Sequence, residues 1–231
     1  MKVLKIWLPL LFFSTSAFAV TNIGVIPLVF PSDMKDVIVY ESGSENSVIE
    51  NKTVINAAIL QLNQLNTKLV KKNKATPTID LVNAAPQIKI MEEFNPNFLK
   101  DLATMDIDSS SDTTDVESTV KNTETNPVKF FLVGYVSQIK CNLVRQKIMT
   151  SPEISFLYNL DITIKYRLVN AQTLKPVLDF TAIGHAGVAS LLPPNNQVLV
   201  AINSDEIAEN AVSSIASNVL HSLLINGIDK L

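Results

Sequence analysis

The stretch from Phe156 to Leu168 alternates between apolar and polar residues almost without interruption. A period of two places successive side chains on opposite faces of an extended strand. The stretch therefore predicts a long β-strand with one face in the core and one face in water. The apolar positions are Phe156, Tyr158, Leu160, Ile162, Ile164, Tyr166 and Leu168, and the polar positions include Asn159, Asp161, Thr163, Lys165 and Arg167.

Two neighbouring stretches predict partners for this strand. Phe130 to Val136 is almost entirely apolar, which is typical of a strand covered on both faces. Val177 to Val188 carries its larger apolar side chains on one side, and a short polar turn precedes it. Together the three stretches predict an antiparallel meander in the second half of the chain.

Helices are expected before and after the meander along the chain. From Val48 to Lys72 apolar residues recur with helical spacing. Asn203 is a favourable N-cap with Glu206 three residues later, and an amphipathic C-terminal helix is expected after it. Near the N-terminus, Ile23 to Phe30 predicts a short strand, and Thr78 to Ile90, flanked and interrupted by proline, predicts a broken or edge strand.

These elements predict an α+β fold: a small mixed sheet with a three-stranded antiparallel meander in its second half, packed by helices that include the C-terminal amphipathic helix. Residues 20–105 form the N-terminal strand-helix half, and residues 128–231 form the meander and the last helix. Between them, residues 106–127 are rich in Ser, Thr and acidic residues and predict a flexible loop.

Residues 1–19 have the three zones of a secretory signal peptide. Lys2 and Lys5 precede an apolar run, and Ala17 and Ala19 have the spacing of a cleavage site, so the mature chain is expected to begin at Val20. The apolar run is shorter than the roughly 20 residues that a transmembrane helix needs. We therefore expect an exported periplasmic protein without a membrane span of its own.

Cys141 is the only cysteine, so no internal disulfide can form and no cysteine follows the cleavage site to carry a lipid. Lys140, Arg145 and Lys147 are near it in sequence and could lower its pKa. An intermolecular disulfide through Cys141 is one interpretation, because a lone cysteine in an exported chain has no internal mate. A half-buried, small apolar role is the other.

The charge of the chain limits its partners. Without Lys2 and Lys5, 17 of the 19 basic residues remain against 22 acidic ones, a net charge of −5. An acidic chain is not expected to bind nucleic acid or an anionic lipid surface. Other envelope proteins, a large multiprotein complex or further copies of this chain are the expected partners.

No catalytic, cofactor or metal site is predicted. His185 and His221 have no second ligand at metal spacing, and neither belongs to a metal-binding motif. His185 is expected on a polar strand face with Asp179 and Thr181, and His221 near a helix end. An enzyme or small-ligand-binding protein with a site built from dispersed residues is the alternative, and a deep polar pocket at His185 or Asp179 would favour it.

Several stretches resemble one superfamily of envelope proteins. Ile23 to Phe30 is similar to its opening strand, Val128 to Val136 to its central strand, and Tyr158 to Val177 to its hairpin; the expected terminal helix also matches. The superfamily contains the curli secretion channel subunit, activators of penicillin-binding proteins and a periplasmic flagellar assembly protein. Asn170 and Leu174 depart from its usual Asp and Gly, so the hairpin turn must be built differently.

The resemblance and the predicted signal together imply a non-enzymatic component of an envelope-spanning assembly. A secretion system, a flagellar basal structure and the cell-wall machinery are the assemblies that the resemblance suggests. The protein would act through protein-protein contacts in the periplasm or at the outer membrane through a partner.

Overall fold

The structure is a computed structural model that describes residues 20–41, 45–73, 78–86, 99–100, 103, 128–147, 154–192 and 202–228. The predictions for Ala17, Ala19 and the loop 106–127 lie outside these residues. The strands are β1 (Thr21–Val25), β2 (Ile38–Glu41), β3 (Ile79–Asn83), β4 (Phe130–Lys147), β5 (Ile154–Asn170) and β6 (Pro176–Leu192). The helices are α1 (Glu45–Leu62), α2 (Leu65–Asn73) and α3 (Ser204–Ile225), and a short 3-10 turn covers Met34–Asp36.

All six strands form one mixed sheet in the order β3-β1-β4-β5-β6, and β2 also pairs with β4. The pairings of β1, β2 and β3 are parallel, whereas β4, β5 and β6 are antiparallel. The predicted α+β class, the mixed sheet and the meander in the second half are therefore confirmed. Strand β3 lies at one edge of the sheet, as the prolines around it predicted.

The main core lies between one face of the meander and the helices. Strand β5 contributes its even-numbered apolar residues, such as Leu160 and Ile162, which are fully buried. Helix α3 begins as predicted, because the Asn203 side chain accepts a hydrogen bond from the Glu206 amide at 3.2 Å. Burying each large aliphatic side chain contributes about 1.5–3 kcal/mol. Helix α3 supplies the opposite side of the core with Ile207, Ala208, Ala211, Val212, Ile215, Ala216, Val219 and Leu223.

Close packing of α3 against β6 depends on a glycine. A Cβ atom added to Gly184 would lie 2.3 Å from the Ala211 carbonyl oxygen and 2.5 Å from Ile215 Cγ1. Only a residue without a side chain allows the helix backbone this near to the strand. Gly184 thus fixes the distance between helix and sheet.

The opposite face of the meander, which we call the outer face, has its buried apolar residues at one end. A second, smaller cluster covers it there and includes Phe131 and Val133 of β4 with Val169 and Ala171. Beyond this cluster the outer face carries the odd-numbered polar residues of β5. The predicted solvent-exposed face of this strand is therefore present in the structure.

Strand β4 is longer than its sequence pattern indicated. We predicted a strand that ends at Val136, but β4 continues to Lys147. A register shift lies between Val136 and Gln138, so that Ile139 and Cys141 return to the buried face after it. Such a β-bulge interrupts the period of two, so the sequence pattern does not indicate the second half of the strand.

Two N-terminal predictions also differ from the structure. The helix expected from Val48 to Lys72 is two helices, since α1 ends at Leu62 and α2 begins at Leu65. The first strand ends at Val25 instead of Phe30. Pro27 lies just beyond its end, and proline has no amide hydrogen to continue a ladder.

The β5–β6 turn is built without glycine, as its sequence predicted. The Asn170 side chain accepts hydrogen bonds from the amides of Gln172 at 2.9 Å and Thr173 at 3.0 Å. Leu174 then takes a left-handed conformation with φ of 54°. Asparagine side-chain bonds of this kind replace a backbone turn and set the end of the hairpin.

Candidate interaction surface

The outer face of the hairpin carries a bidentate ion pair. Arg167 of β5 lies directly opposite Asp179 of β6. The Arg167 Nε donates to Asp179 Oδ1 and a terminal nitrogen donates to Oδ2, both at 2.8 Å. Planar guanidinium and carboxylate groups match in this arrangement, which holds both side chains in one orientation.

A second pair of opposed side chains lies further along the same two strands. Asp161 of β5 faces His185 of β6, and His185 Nδ1 lies 2.5 Å from Asp161 Oδ1. The His185 side chain is exposed to solvent and the Asp161 side chain is partly exposed. The structure thus places His185 on the polar face with Asp179 and Thr181, where the sequence predicted it.

A shallow groove lies beside the first pair. It has a volume of about 210 Å³ and is lined by residues 165–167 and 179–181 of the two strands together with Ala103. Pockets that enclose small ligands usually measure about 300–1,000 Å³. The groove is smaller than that range, and its Arg167 and Asp179 side chains already satisfy each other.

The second side of β6 has no neighbouring strand among the described residues. The Ile183 carbonyl accepts a hydrogen bond of 2.6 Å from the Asn218 side chain of α3. The Ile183 carbonyl therefore points away from β5. Because backbone groups alternate in direction along a strand, the amide and carbonyl groups of Thr181 and His185 also point to this free edge.

Within the described residues, the β6 edge from Thr181 onward has few of the features that protect most edge strands, although Asn218 bonds one of its carbonyl groups. Charged side chains, prolines and short lengths normally prevent unwanted pairing. From Thr181 to Leu192 the strand contains no Lys, Arg, Asp or Glu. Val177 and Ile183 of the outer face are 41% and 52% exposed. By contrast, β3 at the other edge has only five residues and an exposed Asp80.

Cys141 lies fully buried on the core side of β4. Burial raises the pKa of its thiol most, a hydrogen bond with Tyr158 lowers it, and the charge of Asp161 raises it again. The expectation that nearby cations lower this pKa is wrong, because Lys140 is the adjacent residue and alternation turns it to the opposite face. A buried, protonated thiol suits the apolar role, and an intermolecular disulfide stays a prediction.

The other predicted residues are placed as follows. Val20, the expected first residue of the mature chain, is exposed and precedes β1. His221 is exposed and lies one turn before the end of α3. The described residues contain no group of His, Cys, Asp and Glu that could hold a metal ion. None of the helices in the described ranges is both long and apolar enough to span a bilayer.

The sequence analysis did not identify β6 as an edge strand of the sheet. The absence of Lys, Arg, Asp and Glu from Thr181 to Leu192 is a signal of an unprotected strand edge. That signal has meaning only when the order of the strands is known, because the same sequence in a central strand would be protected on both sides.

The comparisons with known proteins give weak likenesses. No protein-family model matches the chain, and the search of curated proteins also finds no match. A solved structure from Xanthomonas campestris has a TM-score of 0.45 and 10% identity, with coverage of 92% of this chain and 87% of that chain. A hypothetical protein from Chlamydia trachomatis has a TM-score of 0.39 and 9% identity, covering 91% of this chain and 96% of its own.

A neuraminyllactose-binding hemagglutinin homolog from Helicobacter pylori has a TM-score of 0.38 and 7% identity, and the match covers 90% of this chain and 85% of the homolog. Likenesses at these TM-scores assign neither a family nor a function. The resemblance to the envelope superfamily therefore stays a prediction.

Proposed function

We propose that the chain is a non-enzymatic component of an assembly in the bacterial cell envelope, and that it acts by binding other proteins. The free edge of β6 is the observation that carries this proposal. A long, unprotected edge with exposed apolar side chains suits a strand that is covered by a partner.

The binding mode that fits this edge is strand addition. An extended segment of the partner would bond to the backbone groups of Thr181, Ile183 and His185, and the outer-face side chains would select its sequence. Asp179 and His185 offer a carboxylate and an imidazole on that face. Main-chain bonds would provide affinity, while these two side chains would provide specificity.

The location belongs to the same proposal. The signal predicted in residues 1–19 would export the chain to the periplasm. A net charge of −5 after cleavage gives it little attraction to anionic lipids. The mature protein would therefore reach the outer membrane only through a partner, such as a subunit of a secretion system, a flagellar basal structure or the cell-wall machinery.

The groove beside Arg167 and Asp179 favours a second candidate function, that of a small-ligand-binding protein. Lys165 and Thr181 add a cation and a hydroxyl to its lining. A ligand would have to separate the bidentate pair, whose two hydrogen bonds are 2.8 Å long. The small volume of the groove makes the β6 edge the better supported site.

Photo-crosslinking in intact cells tests the main proposal. A photoreactive amino acid is placed at Thr181 on the free edge, and at Leu157 as the matched control. Leu157 is an exposed residue of the same face, but its strand β5 is paired on both sides. We expect crosslinks to one or a few envelope proteins from position 181 and far fewer from position 157.

Equal crosslinking from both positions, or none from position 181, would remove the support for the proposal. The groove has its own test. If a small molecule raised the melting temperature of the wild-type protein but not of Arg167→Ala, the second candidate function would replace the first.

A further inference from the structure

We propose that the free edge of β6 pairs with the β6 strand of a second copy of this chain, antiparallel about a two-fold axis at Ala182. This inference rests on the proposed function, since it takes the premise that the edge is bound by a strand and names the strand. A symmetric dimer would join the two sheets into one continuous sheet.

The backbone directions limit the registers. Bonds across the new interface must join the edge-facing residues of both copies, which are the odd-numbered ones around Ile183. A two-fold axis at Ala182 places Thr181 opposite Ile183 of the second copy. The same register places Asp179 opposite His185 of the second copy.

Neighbouring registers lose this match. An axis at Thr181 would place Asp179 opposite Ile183 of the second copy, and an axis at Ile183 would place it opposite Gly187. Directly opposed side chains on one face lie about 4.5–5.5 Å apart, and a carboxylate opposite an imidazolium stabilises such a pairing. The match of Asp179 with the protonated form of His185 therefore favours the register centred on Ala182.

The pairs within each hairpin extend the match into a row of alternating polar groups. Asp161 faces His185 within one copy, and Arg167 faces Asp179 within the other. His185 meets Asp161 through Nδ1. A protonated imidazole donates from both ring nitrogens, so its Nε2 is the atom that would donate to the Asp179 carboxylate of the second copy, and symmetry repeats the row on the other side of the axis.

The exposed apolar residues of β6 also find cover in this register. Val177 would lie opposite Gly187 of the second copy, beside the Asn159 side chain that lies over this glycine. Ile183 would lie opposite Thr181 of the second copy. Val177 and Ile183 are 41% and 52% exposed in the single chain, so the dimer would remove apolar surface from water.

The hydrogen bond from helix α3 to the edge of β6 does not exclude the pairing. A two-fold axis perpendicular to the sheet keeps both copies of α3 on the same face of the joined sheet. Asn218 already donates to the Ile183 carbonyl. A carbonyl oxygen has two lone pairs, so it can accept a second bond from the amide of Thr181 of the second copy.

Cysteine crosslinking with the purified protein tests the register. Thr181→Cys and Ile183→Cys are prepared separately, and each is oxidised alone and in an equal mixture. Opposed edge residues have Cα atoms about 5.5 Å apart, within the range of a disulfide. We expect the mixture to give several times more crosslinked dimer than either variant alone, while the wild-type protein, with Cys141 buried, gives none.

Analytical ultracentrifugation tests the pairing itself. Ile183→Lys adds a charge to the edge and should raise the dimer dissociation constant at least about tenfold. The matched control Leu157→Lys changes an exposed apolar residue on the strand with two neighbours and should leave the constant unchanged. Circular dichroism melting curves establish that both variants are folded.

Three results would overturn the inference. These are a monomer at every accessible concentration, strongest crosslinking of Ile183→Cys alone, or equal effects of the two lysine variants. A monomer whose position 181 still crosslinks to another envelope protein would overturn this inference and leave the proposed function standing. A β6-paired dimer without any envelope partner would support this inference and overturn the proposed function.

Discussion

The Tyr158 hydroxyl donates a 2.8 Å hydrogen bond to the Asn51 side-chain oxygen in the interior of the protein. The two residues are 1% and 3% exposed and join strand β5 to helix α1. Both polar groups are removed from water, and the hydroxyl that bonds the Asn51 oxygen also forms a hydrogen bond with the Cys141 thiol. This bond attaches the N-terminal helix to the centre of the sheet.

Tyr158→Phe should therefore destabilise the protein. The Asn51 oxygen would lose its partner while it remains buried, at a cost of about 1–3 kcal/mol in the free energy of unfolding. Urea denaturation monitored by circular dichroism measures the change. A loss below about 0.5 kcal/mol would show that water or another group satisfies Asn51 in the folded protein.

Tyr166→Phe is the matched substitution with the opposite expectation. The Tyr166 hydroxyl is buried and has no hydrogen-bond partner within the described part of the chain. Its removal should leave the free energy of unfolding unchanged or raise it by about 1 kcal/mol, because an unsatisfied polar group is costly to bury. A destabilisation as large as that of Tyr158→Phe would mean that the hydroxyl has a partner.

The same tyrosine predicts a loss of stability at alkaline pH. Burial raises the pKa of Tyr166 above its ordinary value of 10.0. Below pH 10 the group is neutral in the folded and unfolded states, so its contribution does not change. Above pH 10 the unfolded chain releases the proton and the folded chain keeps it, so the free energy of unfolding falls as pH rises.

Denaturation curves at neutral pH and above pH 10 measure this effect. Tyr166→Phe should show a smaller alkaline loss than the wild type. Burial also raises the pKa of Cys141 above 9.0, which adds a decrease of the same sign in both proteins. Identical pH profiles for the two proteins would contradict the assigned role of Tyr166.

Gly184→Ala should separate α3 from β6. The added methyl group would meet the Ala211 backbone oxygen at 2.3 Å, and a backbone atom cannot rotate away. We expect a loss of about 3 kcal/mol in the free energy of unfolding. Gly187→Ala is the control on the same strand. Its methyl group would meet the movable Asn159 side chain at 2.6 Å and the Tyr158 backbone oxygen only at 3.2 Å, so it should cost less than about 1 kcal/mol.

Thiol labelling examines the state of Cys141. Because the thiol is buried and its pKa is raised, the reactive thiolate is scarce in the folded protein at pH 8. The folded protein should react with a disulfide reagent much more slowly than the urea-unfolded protein. Equal rates would instead support the exposed thiol that an intermolecular disulfide through Cys141 requires.

The sequence predicted the fold where its pattern was regular. Strand β5 was evident because its side chains alternate from Phe156 to Leu168, and α3 was evident from its Asn203 cap and apolar stripe. The pattern failed where geometry changes within an element. The bulge after Val136 moved the buried positions of β4 by one residue, so the second half of that strand was missed.

The interaction surface could not be predicted in the same way. Strand order decides which strand is an edge, and that order depends on long-range pairing, such as that of Ile23 with both Ile79 and Phe130. The pairs Arg167–Asp179 and Asp161–His185 likewise depend on the register of the hairpin. Local patterns indicated polar residues on this face without showing which of them meet.

Amide hydrogen exchange along β6 measures directly whether its edge is bound. In the dilute, isolated chain the amides of Thr181 and His185 face solvent and should exchange rapidly, whereas those of Ala182 and Ala186 bond to β5 and should exchange slowly. In the assembled state, isolated from cell envelopes without denaturation, we predict that the amides of Thr181 and His185 become protected. Rapid exchange at these two residues in the assembled state would contradict the account.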